Sequence, residues 1–378
     1  MKLALIINGL DSGGAEKSTI KMCDGFLADG HEVLLITLTD KIDFYTLSNC
    51  LRRINLDGRA EGNLALKLRA RGFNRIIGLH STLKKSWSFR RIMLEEAPDC
   101  IISMSAKVAV FSFFSTRFLK LPQIGSERIH PNSAIFSHGF FADKLRPLIY
   151  KRGMVLSVQT KGIADWCEKV WGVRSFVTPN HLNFIPMKEI TTFHPPIPLR
   201  ENFALAISRD HPQKNLDFLL ETWVYVEKLI PDAHLIVVGP ENTERTEKFA
   251  AKLGLTRISI QARTESLAPY FNQARVFLST SIFEGFPNVI LEAISYGIPV
   301  ITTPSCDLVE HFAQNGAAIV VYSQEPQAFA QVIADLLSDH LRYLGMSQSA
   351  SKLAVQYSWE NVRADWYLAI QAAIRHYS

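Results

Sequence analysis

The chain lacks the features that mark several classes of protein. Its 378 residues include only five cysteines, widely spaced and without a CxxC pair, so the sequence predicts neither a disulfide framework nor a zinc site. No apolar run reaches the roughly 18 residues that a membrane-spanning helix needs, and Lys107 interrupts the longest one, 101–114. The apolar N-terminus turns polar at Asn8, which predicts a strand rather than a secretion signal. We therefore expect a protein of a reducing cytoplasm.

Signatures of nucleic-acid binding and of metal-held nucleotides are also missing. The sequence contains no helix-turn-helix, zinc or RNA-binding motif, so we expect no nucleic-acid partner. It contains no DxD pair near the motifs described below, and a metal ion is therefore not expected to hold a nucleotide.

Alternating apolar runs and helical patterns predict an α/β protein. Residues 3–7 read as a buried parallel strand, 15–28 as a helix and 33–36 as the next strand. A proline-rich segment in mid-chain reads as a linker, and a second series of strands and helices follows it. The predicted organisation is an N-terminal domain over 1–190, a linker over 191–198, a C-terminal domain over 199–357 and a closing helix over 358–378. Doubly wound domains bind ligands at the carboxyl ends of their strands.

Positive charge is concentrated in the first half of the chain. Residues 1–185 hold 26 Lys and Arg against 16 Asp and Glu, whereas residues 186–378 hold 15 against 20. The segment 67–91, from Lys67 to Arg91, carries eight basic residues and no acidic one, interleaved with apolar side chains. This composition fits either contact with an anionic bilayer surface or a solvated helix face beside a core stripe.

The strongest local signal is the sequence EGFPNVILE, from Glu284 to Glu292. It follows the predicted strand 276–278, and its proline suits the first turn of a helix that Gly297 would end. Backbone amides at such a helix start favour anions such as a diphosphate. The two carboxylates suit a hydroxyl-rich ligand, because each can accept two hydrogen bonds from a sugar diol. The alternative is an ordinary helix-start acid followed by a solvated one.

A second motif, SRDHPQKN, runs from Ser208 to Asn215 between a buried strand, 203–207, and a helix. Arg209 and Lys214 therefore follow the carboxyl end of a strand. Arginine is a fork-shaped donor and lysine a point charge, so the pair can neutralise a diphosphate leaving group. The alternative is ordinary ion pairing on a surface loop.

A glycine loop, GLDSGGAE, occupies residues 9–16. Gly13 and Gly14 would allow close approach to a phosphate, although the loop matches neither GxGxxG nor a Walker motif. A simple tight turn between strand and helix is the alternative.

The loop after the strand at 123–124 holds Glu127, Arg128 and His130. Any of the three could help to position or deprotonate a hydroxyl group. A lone histidine is more often structural than catalytic.

With these residues, the chain resembles the retaining glycosyltransferases of family 4, which have the GT-B fold. The most specific match is the Glu284-to-Glu292 pattern followed by the sequence GIPV at 297–300. Further matches in the same order are GGAE at 13–16, Pro179-Asn180, Arg209 with Lys214-Asn215, and Val238-Gly239-Pro240. The GGAE loop and the Ser-Glu pair at 126–127 are most similar to bacterial enzymes that extend a glycan on a polyprenyl-diphosphate lipid, such as N-acetylgalactosamine transferases.

The resemblance implies two Rossmann-like doubly wound domains that face each other across a cleft. It implies retaining transfer of a hexose or N-acetylhexosamine from a UDP-sugar to a hydroxyl of a membrane-borne glycan or lipid-linked oligosaccharide, with no cofactor and no metal. The enzyme would lie on the inner face of the cytoplasmic membrane, held there by the segment 67–91. A sugar-nucleotide epimerase of the same fold and a catalytically silent UDP-sugar-binding subunit are the alternatives.

The resemblance also implies roles for the matched residues. The catalytic residues would be Arg209, Lys214, Glu284 and Glu127. The donor would be bound by Gly13, Gly14, Ser208, Arg209, Lys214, Asn215, Gly239, Arg263, Glu284, Gly285, Phe286, Pro287, Asn288, Val289 and Glu292. The acceptor would be bound by Glu127, Arg128 and His130. Within this scheme the two cations hold the donor diphosphate, Glu292 holds the ribose, and Glu284 holds hydroxyls of the donor sugar.

Three positions depart from the family pattern. Ser208 and Ala262 stand where glycine is usual, the first before Arg209 and the second before Arg263. Arg128 replaces a histidine that is common in the acceptor loop, which leaves Glu127 and His130 as candidates for the acceptor-side catalytic residue.

Overall fold

The computed structural model describes residues 1–11, 13–39, 43–57, 74–132, 140–182, 203–264 and 266–377. The predicted linker, 191–198, and the first part of the basic segment, 67–73, lie outside the described residues. The chain divides into two compact units. Unit 1 comprises Met1–His181 and Val362–Ser378, and unit 2 comprises Leu182–Asn361.

Unit 1 is built on a seven-stranded sheet in which every neighbouring pair is parallel, in the order β3-β2-β1-β4-β5-β6-β7. Its strands are β1 (Lys2–Ile7), β2 (Glu32–Thr37), β3 (Arg52–Asn55), β4 (Cys100–Ser103), β5 (Gln123–Glu127), β6 (Val155–Val158) and β7 (Ser175–Val177). The apolar pattern does not predict β3, because this edge strand has the sequence RRIN and none of its four side chains is fully buried. Edge strands need less apolar character than central ones.

Helices connect the parallel strands of unit 1. They are α1 (Gly14–Ala28), α2 (Asn74–Glu96), α3 (Ala106–Thr116), α4 (Phe140–Arg152) and α5 (Lys161–Trp166), the last continued by a π-helical turn over Cys167–Trp171. The closing helix, α13 (Trp359–Tyr377), contributes its residues from Val362 onward to unit 1. Within this unit, Nη1 of Arg363 and the hydroxyl of Tyr367 each lie 2.6 Å from the carboxylate of Asp29.

Unit 2 contains a six-stranded parallel sheet in the order β10-β9-β8-β11-β12-β13. Its strands are β8 (Phe203–Ile207), β9 (His234–Val238), β10 (Ile258–Gln261), β11 (Val276–Ser279), β12 (Val300–Thr302) and β13 (Ala318–Val320). Its helices are α6 (Leu216–Leu229), α7 (Thr243–Lys252), α8 (Ala268–Phe271), α9 (Asn288–Ser295), α10 (Asp307–Gln314), α11 (Pro326–Ser338) and α12 (His340–Val355). Both sheets are doubly wound, as the sequence predicts.

The core of unit 2 lies on both faces of its sheet. Phe277 belongs to the cluster on one face, and Trp223 belongs to the cluster on the other; both are 0% exposed. Burying an aliphatic or aromatic side chain of this kind contributes about 1.5–3 kcal/mol before entropy is counted. Because the sheet is parallel, the loops after β8, β9, β11 and β12 leave its carboxyl edge together.

Helix α9 ends where the sequence predicts. Gly297 follows the helix with φ +68°, a left-handed conformation that glycine adopts without strain. Pro287 differs from the expectation, because it stands at the N-cap position before the helix rather than in its first turn. In the described part of the chain, no helix combines the length and the hydropathy needed to cross a bilayer.

Candidate functional site

The loop between β8 and α6 has a defined shape. Nδ1 of His211 accepts a hydrogen bond from the backbone N–H of Gln213 at 3.2 Å and so caps a single 3₁₀ turn, Pro212–Lys214. Asn215 then adopts the left-handed conformation, with φ 50° and ψ 46°, which asparagine tolerates better than most residues. With Asn215 as its N-cap residue, α6 begins at Leu216, two residues after Lys214.

Lys214 and Glu284 form the central contact of the candidate site. Nζ of Lys214 lies 2.6 Å from Oε1 of Glu284, and the two side chains are only 16% and 11% exposed. Nε2 of Gln213 donates a hydrogen bond to the carbonyl of Phe283 at 2.8 Å. The loops after β8 and β11 are therefore joined by an ion pair that is largely shielded from water, where charge-assisted hydrogen bonds are stronger than at an open surface.

Further hydrogen bonds fix three loops at the same edge of the sheet. The hydroxyl of Thr280 lies 3.1 Å from the carbonyl oxygens of both Lys214 and Asn215. The N–H of Glu284 donates to the carbonyl of Ser305 at 2.9 Å, which adds the loop after β12. The position of the ion pair is thus set by the backbone around it rather than by two long side chains alone.

Helix α9 begins four residues after Glu284. Its N-cap residue, Pro287, makes no side-chain capping hydrogen bond, and its first turn carries no acidic side chain. The helix dipole and the first-turn amides therefore favour an anion at this end. The other residues of this predicted donor segment are buried or half-buried, namely Gly285, Phe286, Asn288 and Val289.

Arg209 is the exposed cation of the same loop, and within the described ranges its guanidinium pairs with no carboxylate. The buried Ser208 before it donates its N–H to the carbonyl of Val238 at 2.9 Å, which draws the loops after β8 and β9 together. Gly239 has φ +118°, and a Cβ there would lie 2.9 Å from the carbonyl oxygen of Ser208. Only glycine fits this close approach.

Glu292 lies just over one turn into α9 and is 8% exposed. The structure therefore differs from the alternative of a solvated helix acid. Burial, with the charge of Glu292 as the second cause, raises the pKa of the Tyr296 phenol.

Arg263 follows β10 and forms a solvent-exposed ion pair with Glu241. Its Nη1 lies 3.6 Å from Oε1 of Glu241, with 34% and 72% of the two side chains exposed. An exposed pair of this kind contributes about 0–1 kcal/mol, so a ligand can displace it at little cost.

In unit 1, the glycine loop begins α1, with Gly13 at the N-cap position and Gly14 as the first helical residue. A Cβ on Gly13 would collide with the carboxylate of Glu16, which folds back over the helix start. The glycine therefore makes room for a side chain of its own helix.

Glu127 forms a buried ion pair with Arg146. Nε and Nη2 of Arg146 donate to its two carboxylate oxygens at 3.0 and 2.5 Å, and the hydroxyl of Tyr150 donates to Oε1 at 2.6 Å. Both ionic side chains are 3% exposed. Burial, followed by the charge of Glu127, raises the pKa of Tyr150, which keeps this phenol a donor. A carboxylate held on both oxygens joins β5 to α4 and is poorly placed to receive a proton from an acceptor.

Arg128 also turns inward and is 8% exposed. Its Nη2 donates to Oγ of Ser18 at 2.7 Å and to Oδ1 of Asn180, and its Nη1 donates to Oγ of Ser126 at 3.3 Å. Burial lowers the pKa of Arg128 to about 9.

His130 is oriented by two contacts. Its Nδ1 accepts the backbone N–H of Asn132 at 3.2 Å, and its ring lies edge-on to Trp166 with the centroids 5.2 Å apart. With Nδ1 as an acceptor, the neutral ring carries its proton on Nε2 and presents a donor there rather than a base.

The predicted residues thus fall into two groups. Those after β8, β9, β10 and β11 belong to unit 2, where Lys214 and Glu284 are in direct contact; Gly13, Gly14, Glu127, Arg128 and His130 belong to unit 1. Sequence reasoning missed the partners that fix these groups, namely Gln213, Thr280, Arg146, Tyr150 and Ser18. Gln213 lies inside a recognised motif, but nothing in the sequence connects Arg146 with Glu127.

Over the described residues, no cluster of three His, Cys, Asp or Glu side chains could hold a metal ion.

Comparison with known families and proteins gives consistent matches. Residues 187–353 match the family described as glycosyl transferases group 1. The chain is 22% identical over 367 residues to an uncharacterized glycosyltransferase of Haemophilus influenzae, covering 96% of this chain and 97% of that protein. It is 23% identical over 375 residues to the GalNAc-alpha-(1->4)-GalNAc-alpha-(1->3)-diNAcBac-PP-undecaprenol alpha-1,4-N-acetyl-D-galactosaminyltransferase of Campylobacter jejuni, covering 97% of each chain.

Solved structures match over the whole chain. Sucrose-phosphate synthase from Thermosynechococcus elongatus has a TM-score of 0.78 at 17% identity, covering 98% of this chain and 99% of that one. HepE of Anabaena, solved in complex with UDP and glucose, has a TM-score of 0.78 at 15% identity with the same coverage. These likenesses confirm the predicted GT-B fold of two Rossmann-like domains.

Proposed function

We propose, from the match of residues 187–353 to the family of group 1 glycosyl transferases, that this chain is a glycosyltransferase that takes a hexose or N-acetylhexosamine from a UDP-sugar. The acceptor is a hydroxyl group of a membrane-borne glycan or lipid-linked oligosaccharide in bacterial polysaccharide or glycoprotein assembly. Two relatives support this proposal: the Campylobacter transferase, which is named for a glycan on PP-undecaprenol, and the amylovoran biosynthesis glycosyltransferase AmsD of Erwinia amylovora, which is 22% identical over 371 residues.

The observation that carries the proposal is the contact between Lys214 and Glu284 near the start of α9. A nucleotide diphosphate is an anion with several acceptor oxygens, and the loops after β8 and β11 offer two cations, Arg209 and Lys214, together with helix-start amides. Lys214, which is largely shielded from water, and the exposed Arg209 together stabilise negative charge that grows on the leaving diphosphate. No metal ion is then required for this task.

The two carboxylates of the same motif, Glu284 and Glu292, bind the uncharged sugar and ribose hydroxyls of the donor. Glu284 accepts hydrogen bonds from sugar hydroxyls while its partner Lys214 turns toward phosphate. Glu292, buried within α9, accepts hydrogen bonds from the ribose hydroxyls, and Arg263, which follows β10, faces the base. Retention follows if the departing diphosphate oxygen takes the acceptor proton on the face that it leaves, and this route needs no enzyme nucleophile.

On the acceptor side, the geometry favours His130 over Glu127 as the group that meets the hydroxyl. The ring of His130 is oriented by Asn132 and Trp166, whereas both oxygens of Glu127 are engaged by Arg146 and Tyr150. Glu127 is then a positioning residue for the loop that carries His130.

A surface formed by α2 and α3 supports a membrane location. Leu83 and Trp87 on α2 are 60% and 66% exposed, and Phe114 and Phe118, at and just beyond the end of α3, are 47% and 80% exposed. Basic side chains of the same region are Lys84, Arg90, Arg91, Arg117 and Lys120. Apolar side chains that enter the headgroup layer beside cations suit an anionic leaflet, and we place the enzyme on the inner face of the cytoplasmic membrane.

Transfer assays test the proposal. The full chain is incubated with a panel of UDP-sugars and bacterial lipid extract, and labelled glycolipid is measured. We expect transfer from one donor, with about a 100-fold or greater loss in the Lys214→Ala and Glu284→Gln variants. Lys248→Ala is the matched control, because Lys248 forms an exposed pair with Glu244 on α7. Full activity in both site variants would refute the site.

The same assay separates the alternatives. Conversion of a UDP-sugar to its epimer without any lipid would identify a sugar-nucleotide epimerase. Binding of UDP without transfer to any acceptor would identify a catalytically silent subunit.

A further inference from the structure

Arg128 is a buried cation without an anionic partner in the described part of unit 1. Its three hydrogen-bond partners, Ser18, Ser126 and Asn180, are neutral, and its Nε, itself buried, has no hydrogen-bond partner among the described residues. Arginine is almost never fully buried unless it is paired, because desolvating a charge without a counter-charge is costly.

The neighbouring ion pair does not satisfy this charge. Glu127, the residue before it, is neutralised by Arg146, which donates to both of its oxygens. The local cluster therefore holds two guanidinium groups and one carboxylate, with the excess positive charge on Arg128.

Arg128 lies at the edge of the sheet where doubly wound domains bind ligands. It directly follows β5 at the carboxyl edge of the sheet, and Ser18 lies in the second turn of α1, the helix that the glycine loop begins. The N-cap residue of that helix, Gly13, has no side chain, and the carboxylate of Glu16 folds back over the helix start. A phosphate oxygen that replaces one of these neutral oxygens would give Arg128 the counter-charge that it lacks, and this would offset the cost of burying the charge.

We propose that Arg128, with Ser18 and Asn180 as its neutral placeholders, is a binding site on unit 1 for a diphosphate group. The inference rests on the proposed function for the identity of the ligand, since both substrates proposed above can carry a diphosphate: the UDP-sugar donor and a polyprenyl-linked acceptor. The guanidinium fork turns from Asn180 to two phosphate oxygens, and Ser18 remains as a hydroxyl donor to the same group.

Binding of two separate diphosphates tests the site and identifies its source. Titration calorimetry on the full chain uses UDP for the donor and geranyl diphosphate for the lipid acceptor. We expect Arg128→Met to weaken the binding of one of them by about tenfold or more. If the variant binds geranyl diphosphate more weakly, the site belongs to the acceptor. If it binds UDP more weakly, the site belongs to the donor. Unchanged affinity for both ligands overturns the proposal.

Two further measurements separate ligand binding from a structural role. Arg174→Met is the matched control, because it removes a guanidinium of the same unit that is 92% exposed, and it should bind both ligands as the wild type does. Without ligand, Arg128→Met should melt no lower than the wild type, since Ser18 already donates to Asn180 at 2.7 Å and an unpaired buried charge is removed. A large fall in the melting temperature with unchanged affinities would show that Arg128 only ties elements together.

The remaining variants keep the test decisive. If Arg128→Met does not fold, Arg128→Lys carries the test, because it keeps the charge but loses the fork; its affinity should fall severalfold, and an unchanged value overturns the proposal. A wild type that binds geranyl diphosphate but no UDP would contradict the donor assignment in unit 2, and the geranyl diphosphate series would still report on Arg128.

Discussion

Nζ of Lys214 and Oε1 of Glu284 lie 2.6 Å apart, although 70 residues separate them in sequence. The contact joins the loops that follow β8 and β11, neighbours in the sheet of unit 2. The carboxylate of Glu284 also neutralises the charge of Lys214 as long as no other anion binds the lysine. A diphosphate that enters would draw Lys214 away and release Glu284 to accept hydrogen bonds from sugar hydroxyls. The pair joins the two loops in this structure, and under the proposed function both of its side chains would contact the donor.

Glu292→Gln should weaken nucleotide binding more than it slows transfer. The carboxylate is buried in α9, and a neutral amide accepts a weaker hydrogen bond from a ribose hydroxyl, so we expect the Kd for UDP to rise about tenfold. The kcat at saturating donor should change little, because the ribose does not react. Glu247→Gln, at an exposed position on α7, is the control. A loss confined to kcat would contradict the ribose assignment.

Gly239→Ala should destabilise the protein by about 1–3 kcal/mol. The position has φ +118°, and a Cβ would lie 2.9 Å from the carbonyl oxygen of Ser208. Gly254→Ala, with φ +74° and nothing within 4 Å, isolates the cost of the backbone conformation. Gly345→Ala, within α12 and also without close neighbours, should stabilise by about 0.5–1 kcal/mol. Chemical denaturation measures all three, and equal effects at the first two positions would contradict a steric contribution.

His31 should make stability fall under mildly acidic conditions. Its Nε2 lies 2.9 Å from the hydroxyl of Tyr367 on α13, and burial, followed by the N-terminal ammonium of Met1, lowers its pKa, against an opposing effect of Asp29. The folded protein therefore binds fewer protons than the unfolded chain below the ordinary histidine pKa of about 6.5. The free energy of unfolding should decline as pH falls from about 6.5 and level off below the folded-state pKa.

The His31→Asn variant tests this dependence. Denaturation between pH 7.5 and 5.5 should show a shallower decline in the variant than in the wild type, while His340→Asn, at an exposed position on α12, should retain the wild-type slope. Parallel curves for all three proteins would exclude His31 as the source.

Trp87→Ser should reduce binding to anionic membranes. The indole is 66% exposed on α2 beside Leu83, and an apolar side chain that enters the headgroup layer contributes in proportion to its buried area. We expect about a tenfold loss in sedimentation with vesicles rich in phosphatidylglycerol. Leu229→Ser, at a 47% exposed position in unit 2, should sediment as the wild type does. Equal loss in both variants would argue against a specific surface.

The sequence predicted which charged residues of unit 2 follow the strands of its sheet, but it did not predict the hydrogen-bond partners of Glu127 and Arg128 in unit 1. The strand–loop–helix pattern places Arg209, Lys214 and Glu284 after strands of one parallel sheet. This pattern can be recognised from the sequence because hydrophobic periodicity and the glycine and proline residues that end an element act over a few neighbouring residues. The enclosure of Glu127 by Arg146 was not predictable, since it depends on how α4 packs against β5. The inward turn of Arg128 toward Ser18, 110 residues away, is a tertiary property of the same kind.

By itself, the sequence determined the doubly wound fold, the positions of several strands, and the loops that carry charge. Hydrophobic periodicity and backbone preference act over a few residues, so they can be read along the chain. Only the tertiary structure decided which of those charges are satisfied: Lys214 by Glu284, Glu127 by Arg146, and Arg128 only by neutral oxygens. Burial and pairing depend on atoms that meet across the fold, and the energy of a charge is set by that surrounding rather than by its neighbours in sequence.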